Sequence, residues 1–183
     1  MNKKNAIRTV VFTALLIAIE VVLNRFFSIS NSFLKIGFSF VPITVAAVMF
    51  GPITAAVVAG SGDFIGAILY PIGPYFPGFT FTAILMGFVW GVFLRKWKSD
   101  GGFRTYLTAV LLPSLINNLI LGLILNTAWI TVVYGKKTFF GYLVSRIPQQ
   151  IILTVVECAL LPFIIKLCAL LKREMPGLSR KQK

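Results

Sequence analysis

The sequence predicts an all-α integral membrane protein, one domain over 1–183 with six transmembrane helices and both termini cytoplasmic. Three observations carry that prediction. Hydrophobic residues make up 57% of the chain and charged ones 13%, where soluble domains carry roughly 25% charged residues. The apolar residues fall into runs long enough to span a bilayer, and the basic residues cluster between and beyond those runs. With a mean hydropathy of +0.89, too few polar side chains remain to cover a water-facing surface. That excludes an ordinary soluble enzyme, a disordered tail and a coiled coil.

The first helix, over 7–27, follows Lys3 and Lys4 and has Arg8 in its first turn. Basic residues also precede the apolar run of a signal peptide. Here the run is long, carries Glu20 and precedes no small-x-small cleavage site, so it reads as a retained helix. The second, over 40–50, contains Pro42 and is closed by Gly51-Pro52, because proline pushes its predecessor out of the α region. A helix of that length rises only ~16 Å, so it is buried against protein, tilted, or continued through the loop before it. The third to sixth helices occupy 53–69, 79–94, 106–130 and 142–171, with Pro148 in the first turn of the sixth.

With 18 Lys+Arg against five Asp+Glu the net charge is +13, a balance that elsewhere points to nucleic acid. Placement points to the lipid bilayer instead. Lys3, Lys4, Arg8, Arg95, Lys96, Lys98, Arg104, Lys172, Arg173, Arg180, Lys181 and Lys183 fall on the cytoplasmic side, and Arg25, Lys35, Lys136, Lys137 and Arg146 outside. Twelve against five is the bias that sets topology, and such clusters meet anionic headgroups.

Cys158 and Cys168 share one apolar run and read as buried thiols. Without histidine or a cysteine cluster, a zinc site and His-dependent catalysis are excluded. Gly135-Lys136-Lys137-Thr138 lacks the earlier glycine of a phosphate loop, so the chain hydrolyses no ATP itself. No catalytic residue and no cofactor is expected.

Charge at bilayer depth costs roughly 2.5–3.5 kcal/mol, which makes intramembrane ionisable residues functional candidates. Asp63 sits among Gly60, Ser61, Gly62 and Gly66, small residues that permit close helix contact. It caps a neighbouring helix, pairs with Arg25, Lys35 or Arg146, or meets a ligand. Glu20 and Glu157 either line a cavity or form an internal ion pair. Asn117 and Asn118 point about 100° apart on a helix, so one of them is expected to face a cavity; Asn126 follows on the same helix. Arg146 and Gln150 share a face at i, i+4, with Gln149 beside them. A guanidinium fork suits a carboxylate or a heteroaromatic edge and amides add donor–acceptor pairs, although Arg146 can also snorkel to headgroups. Ala14 and Ala18, four apart, make a flat stripe for another helix. The loops over 24–38 and 70–79 mix aromatics with turn residues, as an interfacial belt does, or as a stiff lid whose rings stack on a flat ligand.

Taken together, the chain resembles the substrate-binding (S) component of an energy-coupling factor vitamin transporter along nearly its whole length. The resemblance rests on six short helices, Ala14-x-x-x-Ala18 and a basic tail. The stretch 35–85 resembles the folate-specific S components, whose third helix ends in a similar Asp-x-x-Gly before a loop like Pro71-Ile-Gly-Pro-Tyr-Phe-Pro-Gly-Phe-Thr80. The resemblance implies a high-affinity folate binder in a bacterial plasma membrane. It would dock through Ala14 and Ala18 onto a coupling subunit driven by two ATPase subunits and topple in the membrane to deliver its ligand. The expected substrate-binding residues are Arg25, Phe26, Lys35, Phe38, Asp63, Tyr75, Phe76, Phe79, Asn117, Arg146, Gln149 and Gln150. Aromatics would sandwich the rings, Asp63 or an asparagine would meet the aminopterin edge, and Arg25, Lys35 or Arg146 the carboxylates. Surplus positive charge at the outer mouth suits an anionic ligand. The rival readings are an S component for riboflavin, pantothenate or a queuosine precursor, a structural membrane protein, and an intramembrane enzyme, which lacks a nucleophile–base pair.

Overall fold

The computed structural model describes residues 3–30, 35–71, 73–94, 102–135 and 138–174. The basic residues Arg95, Lys96, Lys98, Lys136, Lys137, Arg180, Lys181 and Lys183 lie outside the described residues. The described residues form six helical rods: α1 (Lys3–Arg25), α2 (Phe40–Phe50), α3 (Pro52–Leu69), α4 (Pro77–Leu94), α5 (Phe103–Tyr134) and α6 (Phe139–Glu174). Five of them, all but α2, are long and apolar enough to cross a membrane.

Helix α2 ends where the chain turns through Gly51. Its φ of 91° is a conformation that glycine adopts without strain, and its N–H donates to the Ala47 carbonyl at 3.1 Å. Pro52 then opens α3, where a missing N–H costs nothing. Nine of the eleven residues of α2 are buried. A helix apolar all round and too short to span belongs in the middle of a bundle, and α2 packs on α1, α3, α4 and α6. Its Phe40, Ala46, Ala47, Met49 and Phe50 form the core with Val58, Trp90, Leu161 and Ile165.

Helices α3 and α4 touch backbone to backbone. A Cβ on Gly91 would strike the Pro52 backbone, and one on Gly87 the Ala55 carbonyl. Such small-residue contacts replace the hydrophobic drive that lipid does not supply. Gly91→Val is therefore expected to force the two helices apart at about 1–3 kcal/mol or more. Melting of the protein in detergent should register a midpoint lowered by roughly 2–12 °C; an unchanged midpoint would contradict this packing.

The structure departs from the sequence reading in three places. The loop after α1 contains a short antiparallel pair, β1 (Ser28–Ser30) with β2 (Lys35–Gly37), in which Ser28 faces Gly37. The fold is thus helical with one small hairpin. Gly37 is required there, because a Cβ would come within 2.7 Å of the Ser28 Cβ. Secondly, α6 starts at Phe139, so Pro148 lies inside the helix rather than in its first turn, as does Pro162. A proline at 162 withholds the N–H that the Cys158 carbonyl would accept; the Tyr106 hydroxyl of α5 donates to that carbonyl instead, at 3.1 Å. Thirdly, α5 is wound in wide π-type turns over Leu107–Leu111 and Ile116–Leu125, on either side of Pro113. Such turns absorb a missing intrahelical bond and frequently mark functional positions.

Candidate functional site

One cavity of about 320 Å³ lies at the end of the bundle where α1, α3 and α5 finish and α4 and α6 begin. Its lining keeps helical period: Glu20 and Asn24 on α1; Ala59, Asp63 and Ala67 on α3; Phe79, Ala83, Met86 and Trp90 on α4. On α5 the face runs Asn118, Gly122, Asn126, Ile130 and Tyr134, and on α6 Arg146, Gln150, Leu153 and Glu157. Steps of three and four place each set on one helix face.

Nine of the twelve expected binding residues line this cavity: Arg25, Asp63, Tyr75, Phe76, Phe79, Asn117, Arg146, Gln149 and Gln150. Three do not. Phe26 is 59% exposed and stands edge-on to Tyr70 at 4.9 Å, while Phe38 is half-exposed beside Phe40 at 6.4 Å. Lys35 lies in β2, paired with Ser30. Reading the 24–38 stretch as one loop concealed this hairpin.

The charged groups of the α1–α3 wall hold each other. Arg25 Nη2 lies 4.0 Å from Asp63 Oδ1 and donates to the Asp63 backbone carbonyl at 3.4 Å. Thr80 donates to Asp63 Oδ2 at 2.9 Å, and the Tyr75 hydroxyl sits 3.4 Å from Thr80 Oγ1, tying the proline-rich loop to α3. Asn24 Nδ2 donates to Glu20 Oε1 at 2.7 Å. Gly62 and Gly66 explain how α1 brings such side chains in: a Cβ at 62 would occupy the place of the Glu20 carboxylate, and one at 66 that of the Arg25 guanidinium. The small-residue pair thus receives polar side chains rather than a second backbone.

The opposite wall is built by α5 and α6. Both Asn117 and Asn118 line the cavity and are buried, which corrects the expectation that one of the two would. The cavity lies between α4 and α6, so residues on adjacent faces of α5 both border it. Asn117 donates to the Met86 carbonyl of α4 at 3.3 Å; Asn118 donates to Thr154 at 3.1 Å and to Glu157 Oε2 at 2.8 Å on α6. Arg146, 5% exposed, donates through Nη1 to Thr127 Oγ1 at 3.3 Å. Burial to that degree is not headgroup snorkelling. Phe76 packs tilted on Trp129 at 5.5 Å and edge-on to Phe79 at 6.2 Å, with Trp129 Nε1 held by Thr82.

The walls carry three carboxyl groups, of Glu20, Asp63 and Glu157, and two guanidinium groups, of Arg25 and Arg146. Among the described residues the lining itself therefore carries no surplus positive charge. Each of the acids accepts from a protein donor, whereas Arg146 has no carboxylate within 4.0 Å among the described residues. The arrangement can hold a flat, partly polar molecule: rings from the loop and α4 at one side, amides and a buried cation at the other. Sequence reasoning passed over Asn24, Trp90 and Tyr134 as lining residues, and named Asn126 and Glu157 only as polar residues within the spans. Their i, i+4 register with Glu20, Met86, Gly122, Ile130 and Leu153 was the available signal.

Residues 8–165 match the family model of the ECF transporter substrate-specific component. The chain belongs to that family. This S component is 33% identical over 149 residues to the folate transporter FolT of Clostridium novyi (strain NT), covering 80% of this chain and 81% of that protein. It is 28% identical over 162 residues to the folate transporter FolT of Leuconostoc mesenteroides, covering 86% and 84%. Its fold superposes on the crystal structure of FolT bound with folic acid at a TM-score of 0.76, with 29% identity over 87% of this S component and 92% of that chain.

Proposed function

We propose that this S component captures folate from outside the cell in the α1–α6 cavity and delivers it through a shared coupling subunit driven by two ATPase subunits. The observation that carries this reading is the cavity itself, which combines ring-bearing and amide-bearing walls in a fold similar to that of FolT bound with folic acid. In this reading all six helices lie in the membrane, α2 sheltered by the rest, with both termini cytoplasmic and the cavity opening outward. The protein performs no chemistry: it binds and releases. Docking uses the face of α1 that carries Ala14 and Ala18, both exposed, in line with exposed Ile7, Val11 and Val22. Toppling of the whole S component then carries the ligand inward.

Tryptophan fluorescence tests it directly, because Trp90 lines the cavity and Trp129 packs on Phe76. Titration of the purified protein in detergent should give saturable quenching by folate and weaker responses to riboflavin, pantothenate and a queuosine precursor. No saturable response to folate would overturn the reading.

A further inference from the structure

The first turns of α6 are held more lightly than the rest of that helix. Over 139–147 only Tyr142 and Arg146 are buried. Beyond Pro148 the helix sets Gln149, Gln150, Glu157, Leu161 and Ile165 into the bundle, the last two in the core beside α2. A segment with few buried contacts opens at a lower free-energy cost than its surroundings. The bond that Arg146 Nη1 donates to Thr127 of α5 is a long one, at 3.3 Å. The two prolines inside α6 differ in the same sense. Each withholds the N–H that the carbonyl four residues earlier would accept. The carbonyl freed by Pro162, that of Cys158, is pinned to α5 by the Tyr106 hydroxyl at 3.1 Å. The one freed by Pro148 belongs to Val144, a residue 63% exposed, and among the described residues no side chain donates to it. One break is clasped and the other is left loose.

We propose that Pro148 is a hinge on which the first turns of α6, carrying Arg146, swing over and away from the cavity mouth, and that this swing sets how fast ligand enters and leaves. The proposal rests on the folate reading above. Its direction follows from the helix itself. Pro148 is exposed and lies about 160° round α6 from both Arg146 and Gln150. A proline ring pushes against the carbonyl one turn back and opens the helix on its own side. Bending at Pro148 therefore tips the arm toward the opposite face, which is the face that lines the cavity. Gln149 and Gln150 stay with the fixed part of the helix, so the swing changes the separation between the guanidinium and the two amides.

Stopped-flow tryptophan quenching by folate, on the full-length protein in detergent, tests the hinge. Pro148→Ala restores a helical N–H, worth about 1 kcal/mol, and should slow association and dissociation alike by about fivefold while Kd stays within about twofold of wild type. Pro162→Ala, at the clasped break, should leave both rate constants within about twofold. A merely structural role for Pro148 would move Kd instead. Unchanged rates in Pro148→Ala, an equal slowing in Pro162→Ala, or a shift in Kd without the common slowing overturns the hinge. Should Pro148→Ala not fold, spin labels decide, at Phe140→Cys on the arm and Leu69→Cys at the end of α3, both exposed, with Cys158 and Cys168 replaced by alanine. An arm of eight residues turning through about 20° moves its tip by about 4 Å. The ligand-free distance distribution should be broader than the folate-bound one by about that much; identical distributions overturn the hinge. A wild type that binds no folate overturns the functional reading. The ligand-free label distances then judge the hinge by themselves, and a single narrow distance rejects it.

Discussion

Replacing Arg146 with leucine is expected to weaken folate binding by about ten- to hundredfold while leaving the empty protein no less stable to heat. The guanidinium is 5% exposed, its Nε has no partner, and its Nη1 reaches only the Thr127 hydroxyl, at 3.3 Å. A hydrogen bond from a charged group is worth about 1.5–3 kcal/mol, which sets the size of the loss. An uncompensated buried charge is itself destabilising, so its removal from the ligand-free fold carries no penalty beyond lost packing. Lysine should rescue little, since it offers a point charge where the site holds a planar fork. Titration of the wild type, Arg146→Leu and Arg146→Lys with folate, together with ligand-free melting curves, measures both halves. An affinity within twofold of wild type, or a clear drop in melting midpoint, would make Arg146 a structural residue.

Ala14→Trp and Ala18→Trp should each reduce folate uptake to background in cells that supply the coupling subunit and ATPases, with binding by the purified variant within twofold of wild type. Both alanines are exposed on α1, whose opposite face buries Leu16 and Glu20. The indole rings would hold a partner helix at a distance without entering the core. The cavity takes its α1 residues, Glu20, Asn24 and Arg25, from beyond Ala18 towards the other end of the helix. Normal uptake, or a binding defect matching the uptake defect, would contradict the docking role.

The candidate site was partly legible because its chemistry is local. Arg146 and Gln150 announce a shared face by spacing alone, and charged or amide side chains in apolar runs stand out by their cost. Phe26 and Phe38 show where that logic stops. Both sit in an aromatic loop of the right composition, yet the pairing of Ser28–Ser30 with Lys35–Gly37 sets them outside the cavity. Pairing joins residues that are distant along the chain, and composition carries no trace of it. Asn117 and Asn118 show the converse. An angle on an isolated helix limits the cavity to one of them, but a void bounded by both α4 and α6 borders adjacent faces of α5.

What the sequence by itself determined is what each segment can settle without the others: that the chain belongs in a bilayer, that the apolar runs become helices, and that α2 stops at Gly51-Pro52, where a positive φ and a missing N–H act within two residues. The tertiary structure alone decided which polar groups neutralise each other and which remain available. By sequence Asp63 could cap, pair or meet a ligand, and the fold sets it beside Arg25 and Thr80; the Tyr106 hydroxyl of α5 donates to the Cys158 carbonyl that Pro162 leaves without an intrahelical donor. A hydrogen bond depends on distances of about 3 Å between atoms, and in this bundle those distances are set by glycines at 62, 66, 87 and 91, each of which lets an α3 or α4 backbone approach a neighbour that is remote in sequence.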